Sequence, residues 1–245
     1  MKVIVNYIIV FLVPISSLLS FDILSKEREV EMIDIVKECE VLKENADNLD
    51  PNYTFLQFWN GSSYQVVNNA SSAVYLAPGQ AFMVDPKEDS ETINFVFPEN
   101  LQTPQISENA TLYKGTSIPE VLIHLTNGAV SKKTTLKYFN NTTTGLDVGY
   151  DAGTYNDGDP NFAIDTHLVS DSKGIDFMLQ CLPNYNYENY IVPLSIKASP
   201  NEELIFSTTA LNLPIGIKVY IEDKLNSKIT DITKSNIEIF HLWIF

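Results

Sequence analysis

The sequence predicts an all-β protein: an antiparallel β-sandwich of jelly-roll or immunoglobulin-like type, arranged as two β units behind an apolar leader and one amphipathic helix. Three observations predict it. From residue 53 onward the apolar residues fall in short alternating or continuous runs, the period-two pattern of half-buried strands. Those runs are cut by turn formers such as Asn60-Gly61, Asn127-Gly128 and Asp157-Gly158. Beyond residue 50 no stretch carries sustained helical spacing, so connections run strand to strand rather than through crossover helices.

Residues 1–20 read as a leader. Lys2 supplies a short positive start, the run from Val3 to Val13 is apolar except for Asn6, and Pro14 breaks it before Ser16, Ser17 and Ser20. This is the layout of a secretory signal peptide. Ile15 and Leu18 stand where small residues would best direct cleavage, and the uncharged stretch to Phe21 approaches the ~20 residues that span a bilayer. An uncleaved anchor is therefore the alternative, and contact with a membrane is expected only through this segment.

Residues 21–50 change character. Acids from Asp22 to Asp50 outnumber the bases, while Met32, Ile35, Val36, Cys39, Leu42, Ala46 and Leu49 recur at three- and four-residue steps. That spacing predicts one acidic amphipathic helix, stopped by Pro51. Cys39 on its apolar stripe is expected as a small core residue.

Strands are then expected at residues 54–59, 64–67, 73–76, 81–84 and 92–97, and again at 120–125, 134–139, 163–168, 176–179, 190–196, 203–208 and 217–222. The polar stretch 98–117, with Pro104, is the expected seam. It gives a first β unit over 51–105, a second over 106–232 and an apolar tail over 233–245.

Several of these segments stand in a particular order. Phe58-Trp59-Asn60-Gly61-Ser62-Ser63-Tyr64 is followed by Leu76-Ala77-Pro78-Gly79-Gln80-Ala81-Phe82-Met83-Val84 and Ile93-Asn94-Phe95. Further on come Gly145-Leu146-Asp147-Val148-Gly149-Tyr150-Asp151-Ala152-Gly153, Val192-Pro193-Leu194, and the run from Lys218 to Lys224. The succession, covering roughly residues 53–232, resembles a module found near the C-terminal end of large proteins exported by the bacterial type IX secretion system. The resemblance implies a secreted or cell-surface β-sandwich without a catalytic centre, structural or adhesive. Such modules usually precede a sorting domain, and no segment here reads as one.

Composition narrows the function. The 245 residues carry 16 Lys+Arg against 31 Asp+Glu, a formal charge of −15, which argues against nucleic acid as a partner. Cys39 and Cys181 are the two cysteines, too few for a disulfide scaffold or a thiolate zinc site. No HExxH, GxSxG, P-loop or dinucleotide glycine pattern occurs, so no catalytic residue is assigned and no cofactor is required.

Two binding chemistries remain as expectations. Asp147, Asp151, Asp157 and Asp159, interleaved with glycines, supply the oxygen-rich flexible loop that Ca²⁺ favours, although the spacing is not that of an EF-hand. Solvated Asx-Gly turns are the competing reading. Trp59, Tyr185 and Tyr187 are candidates for a sugar-stacking platform, Tyr185 and Tyr187 sharing one face if that segment is extended. Core packing is the competing reading there, with either Phe58 or Trp59 facing inward. The expected partners are thus a cell-surface protein or a polysaccharide, and the alternative function is a carbohydrate-binding or carbohydrate-processing accessory protein.

Overall fold

The computed structural model describes residues 8–10, 31–34, 40–59, 64–71, 75–76, 81–87, 94–97, 102–104, 118–155, 161–200, 202–224, 227–233 and 238–240. Among the described residues the protein is mostly β, with several antiparallel sheets and one short α-helix. The chain divides into two compact units, Met1–Gly115 and Thr116–Phe245.

In the first unit, strands β1 (Ile8–Val10) and β2 (Glu31–Asp34) precede helix α1 (Glu40–Asn45). Strands β3 (Leu56–Trp59), β4 (Tyr64–Val67), β5 (Tyr75–Leu76), β6 (Phe82–Val84) and β7 (Gln102–Pro104) follow. One sheet has the order β1-β6-β3-β4 and a second the order β5-β2-β7. Leu42, Leu49, Leu56, Phe58, Val67, Phe82 and Val84 form the core, with Phe95 and Phe97 packed against it. Phe82 meets both of these rings at centroid distances of 5.6 and 5.8 Å. Fully burying side chains of this size stabilises by roughly 1.5–3 kcal/mol each.

Asn45 closes the helix and organises its surroundings. Its buried amide donates to Val41 O and Val96 O and accepts from Val96 N–H. This explains why residues 94–97, expected as part of a strand, do not join a ladder. Both backbone groups of Val96 are satisfied by a side chain instead.

The second unit contains β8 (Glu120–Thr126), β9 (Ser131–Phe139), β10 (Ala152–Gly153), β11 (Ala163–Thr166), β12 (Phe177–Pro183), β13 (Leu194–Lys197) and β14 (Leu204–Leu211). A hairpin of β15 (Tyr220–Asp223) and β16 (Lys228–Asp231) and the short β17 (Glu238–Phe240) complete it. The main sheet has the order β13-β11-β12-β9-β8-β14-β17, with β10 also paired to β12. Val121, Ile123, Leu125, Leu136, Tyr138, Phe162, Ile164, Leu182, Leu204 and Phe206 form its core. Leu194 and Ile196 of β13 and Ile221 of β15 pack against that core, giving a sandwich-like arrangement.

The strict in-out alternation of β8 follows from its sequence: Val121, Ile123 and Leu125 are buried, and the residues between them are half-buried. Asn127-Gly128 makes the β8–β9 turn as its residue types dictate. Gly128 sits at φ 87°, and Asn127 Oδ1 accepts from the N–H groups of Ala129 and Val130.

Short strands β1, β7, β10, β16 and β17 stand where none was expected, and two further differences bear on the topology. The acidic helix expected over 21–50 is, among the described residues, the single helix Glu40–Asn45, and Glu31–Asp34 is a strand. Met32 and Ile33 stand beside Val30 and Ile35 in a run that alternates with acids as readily as it fits a helical stripe. Pairing to β5 on one side and β7 on the other then decides, since helix propensity is a weak prior. The second difference is β12 against β9, a parallel pair in an otherwise antiparallel sheet. The long connection from β9 to β12, through β10 and β11, provides the crossover that a parallel pair needs.

Candidate functional site

Buried or tightly bonded acids gather in two neighbouring places along β10–β13. The first is the loop joining β9 to β10. Thr142 Oγ1 donates to Phe139 O, and Asp147 accepts from Thr143 N–H at 2.6 Å and from Thr143 Oγ1 at 3.2 Å. The N–H groups of Tyr150 and Asp151 both donate to Asp147 O, and Gly149 takes φ 79° to close that turn. Farther out, Ser170 N–H donates to Thr144 O, and Asn141 Nδ2 donates to the Tyr150 hydroxyl.

Asp151 is fully buried, and both of its oxygens are engaged. Oδ2 accepts from Asp147 N–H at 2.7 Å and Oδ1 from Cys181 N–H at 2.7 Å. Where β10 ceases to pair with β12, the Asp151 carboxylate thus supplies the acceptor that the next backbone carbonyl would have given. Burial pushes this carboxyl up to about 7, against the two N–H donors that favour its charged form. Asp147 is raised too, by burial, with the Thr143 bonds opposing.

Cys181 lies beneath the same loop, its thiol donating to Tyr150 O at 3.4 Å. Burial raises it well above the ordinary thiol range, and the Asp151 charge adds to that. Cys181 in the folded protein is therefore expected to resist iodoacetamide at neutral pH and to alkylate readily once the chain is unfolded in guanidinium. Rapid native-state labelling at this position, read by peptide mass spectrometry, would contradict the packing described.

The second place joins β10, β11, β12 and β13. Asp176, just before β12, accepts from His167 Nε2 at 2.8 Å and from Lys197 Nζ at 2.6 Å. Desolvation would raise Asp176, but these hydrogen bonds outweigh it and hold the carboxylate below its usual range. Lys197 is raised in turn, chiefly by its bond to Asp176. Thr154 N–H donates to Asp176 O, and the Thr154 hydroxyl donates to Asp165 Oδ1. Asp165, on β11 opposite Ser195 of β13, is buried, and its Oδ2 has no hydrogen-bond partner among the described residues. Desolvation raises its carboxyl despite the Thr154 bond.

A third buried group is Gln180 on β12. It is fully buried, lies opposite Leu136 of β9, and has neither Nε2 nor Oε1 hydrogen-bonded among the described residues.

Of the four acids expected to hold calcium, Asp147 and Asp151 are brought together, but through backbone: the Asp151 carboxylate takes the Asp147 N–H. Asp157 and Asp159 lie outside the described residues. Among the described residues no three of His, Cys, Asp and Glu converge as a metal cage would require.

The aromatic candidates separate. Phe58 is the inward member of its pair and Trp59 is 53% exposed, meeting Tyr64 edge-on at 5.1 Å across the β3–β4 hairpin. Tyr185 is 56% exposed, whereas Tyr187 packs against the core and meets the Tyr138 ring at a tilt, centroids 4.8 Å apart. The expectation that Tyr185 and Tyr187 share a strand face is corrected. Asn186 between them adopts a left-handed conformation at φ 54°, and residues Tyr187–Asn189 form a 3₁₀ turn. Asn tolerates that conformation because its short amide bonds locally, a signal readable in Asn184 and Asn186.

The sequence reading missed the Asp165–Asp176–His167–Lys197 network and Gln180. Their partners lie on separate strands, so no spacing along the chain announces them.

The fold and these networks define an all-β, sandwich-like protein whose buried carboxylates are tied mainly to backbone and neighbouring strands. No family model, no curated protein and no solved structure matches this chain. Among the described residues no helix is long and apolar enough to cross a membrane.

Proposed function

We propose that this chain is a non-catalytic, secreted or cell-surface β-sandwich protein, a structural or adhesive module of the kind that type IX secretion delivers to bacterial surfaces. The observation that carries the reading is the use made of its most perturbed acid. Asp151 spends both oxygens on backbone N–H groups, so its work is to fix the loop over β12. Asp176 is likewise occupied, hydrogen-bonded by Lys197 Nζ and His167 Nε2. A general acid or base needs a titratable atom within reach of a substrate proton, and these groups are turned into the fold. The signal-like leader and the acidic composition support export and solubility at a surface.

One observation favours a second reading, a carbohydrate-binding accessory protein. Trp59 and Tyr64 present two half-exposed rings side by side on the β3–β4 hairpin. Such an aromatic pair can stack on a sugar face.

Expression of the full chain in a bacterium carrying a type IX system tests the proposal. Labelling of intact cells or recovery from the medium, with a new N-terminus beginning near residues 17–21, is expected. A chain that keeps Met1 and is labelled only after lysis would overturn it.

A further inference from the structure

We draw no further inference here: the strongest candidate, the outward face of the β15–β16 hairpin on which Tyr220 and Ile229 are exposed, carries nothing because nothing in the structure shows what covers it.

Discussion

Asp151→Ala is expected to destabilise the second β unit by about 2–5 kcal/mol, because it strips two N–H groups of their acceptor, each costing ~1–3 kcal/mol when left unpaired. The donors are Asp147 N–H and Cys181 N–H, the latter buried beneath the loop. Asp151→Asn should cost less, about 1–3 kcal/mol, since its amide oxygen still serves one donor while its NH₂ opposes the other. Chemical denaturation followed by circular dichroism reads both values.

The same residue sets a pH dependence whose sign is fixed. Its folded pKa of about 7 stands above the ordinary aspartate value of 3.8. The native state therefore holds this proton over a range where the unfolded chain has released it. The associated stability is fully present below pH ~4 and is lost as the pH rises through about 7. Wild-type stability is thus expected to decline between pH 4 and 7 more steeply than that of Asp151→Asn. Identical profiles would show that this carboxyl is not buried as described.

Gln180→Met is expected to act in the opposite direction, stabilising the protein by about 1–3 kcal/mol. A buried amide with neither end hydrogen-bonded carries its desolvation cost uncompensated, and an unbranched side chain of similar volume removes that cost while filling the space. Gln180 meets both conditions: its Nε2 and Oε1 lack partners among the described residues, and it packs beside Leu136. A loss of stability on Gln180→Met would mean that the amide is satisfied, most simply by an ordered water. A thermal melt beside the wild type distinguishes the two.

The strands were largely legible because their signal is local. Residues 64–67 were expected and found as β4, and 120–125 and 134–139 anticipate β8 and β9 within a few residues at their ends. Alternation such as Val121-Leu122-Ile123-His124-Leu125 specifies both the strand and its buried face. The short β1, β7, β10, β16 and β17 were not expected, since two to four residues carry too little periodicity to distinguish them from their surroundings. Glu31–Asp34 was read as helix because its apolar residues satisfy two periods and only pairing to β5 and β7 chooses between them.

The candidate site was legible in residue type rather than arrangement. The sequence singled out Asp147 and Asp151 for their carboxylates, but whether an Asp faces an ion or a backbone N–H depends on where Cys181, thirty residues away in sequence, is brought to lie. Asp165, Asp176, His167 and Lys197 were readable individually and meet only because β11, β12 and β13 are neighbours. The left-handed Asn186 shows the converse. A single turn residue undid the shared face proposed for Tyr185 and Tyr187, and the asparagines around it were the available warning.

Under the proposed function Asp151, Asp165 and Asp176 secure the sheet and take no part in bond cleavage. Prolonged incubation of the full chain with a panel of acidic and neutral polysaccharides, assayed for newly formed reducing ends, tests this most directly. The expected result is no reducing ends formed above the buffer control. Reducing-end release by the wild type that disappears in a folded Asp165→Asn or Asp176→Asn variant would contradict it.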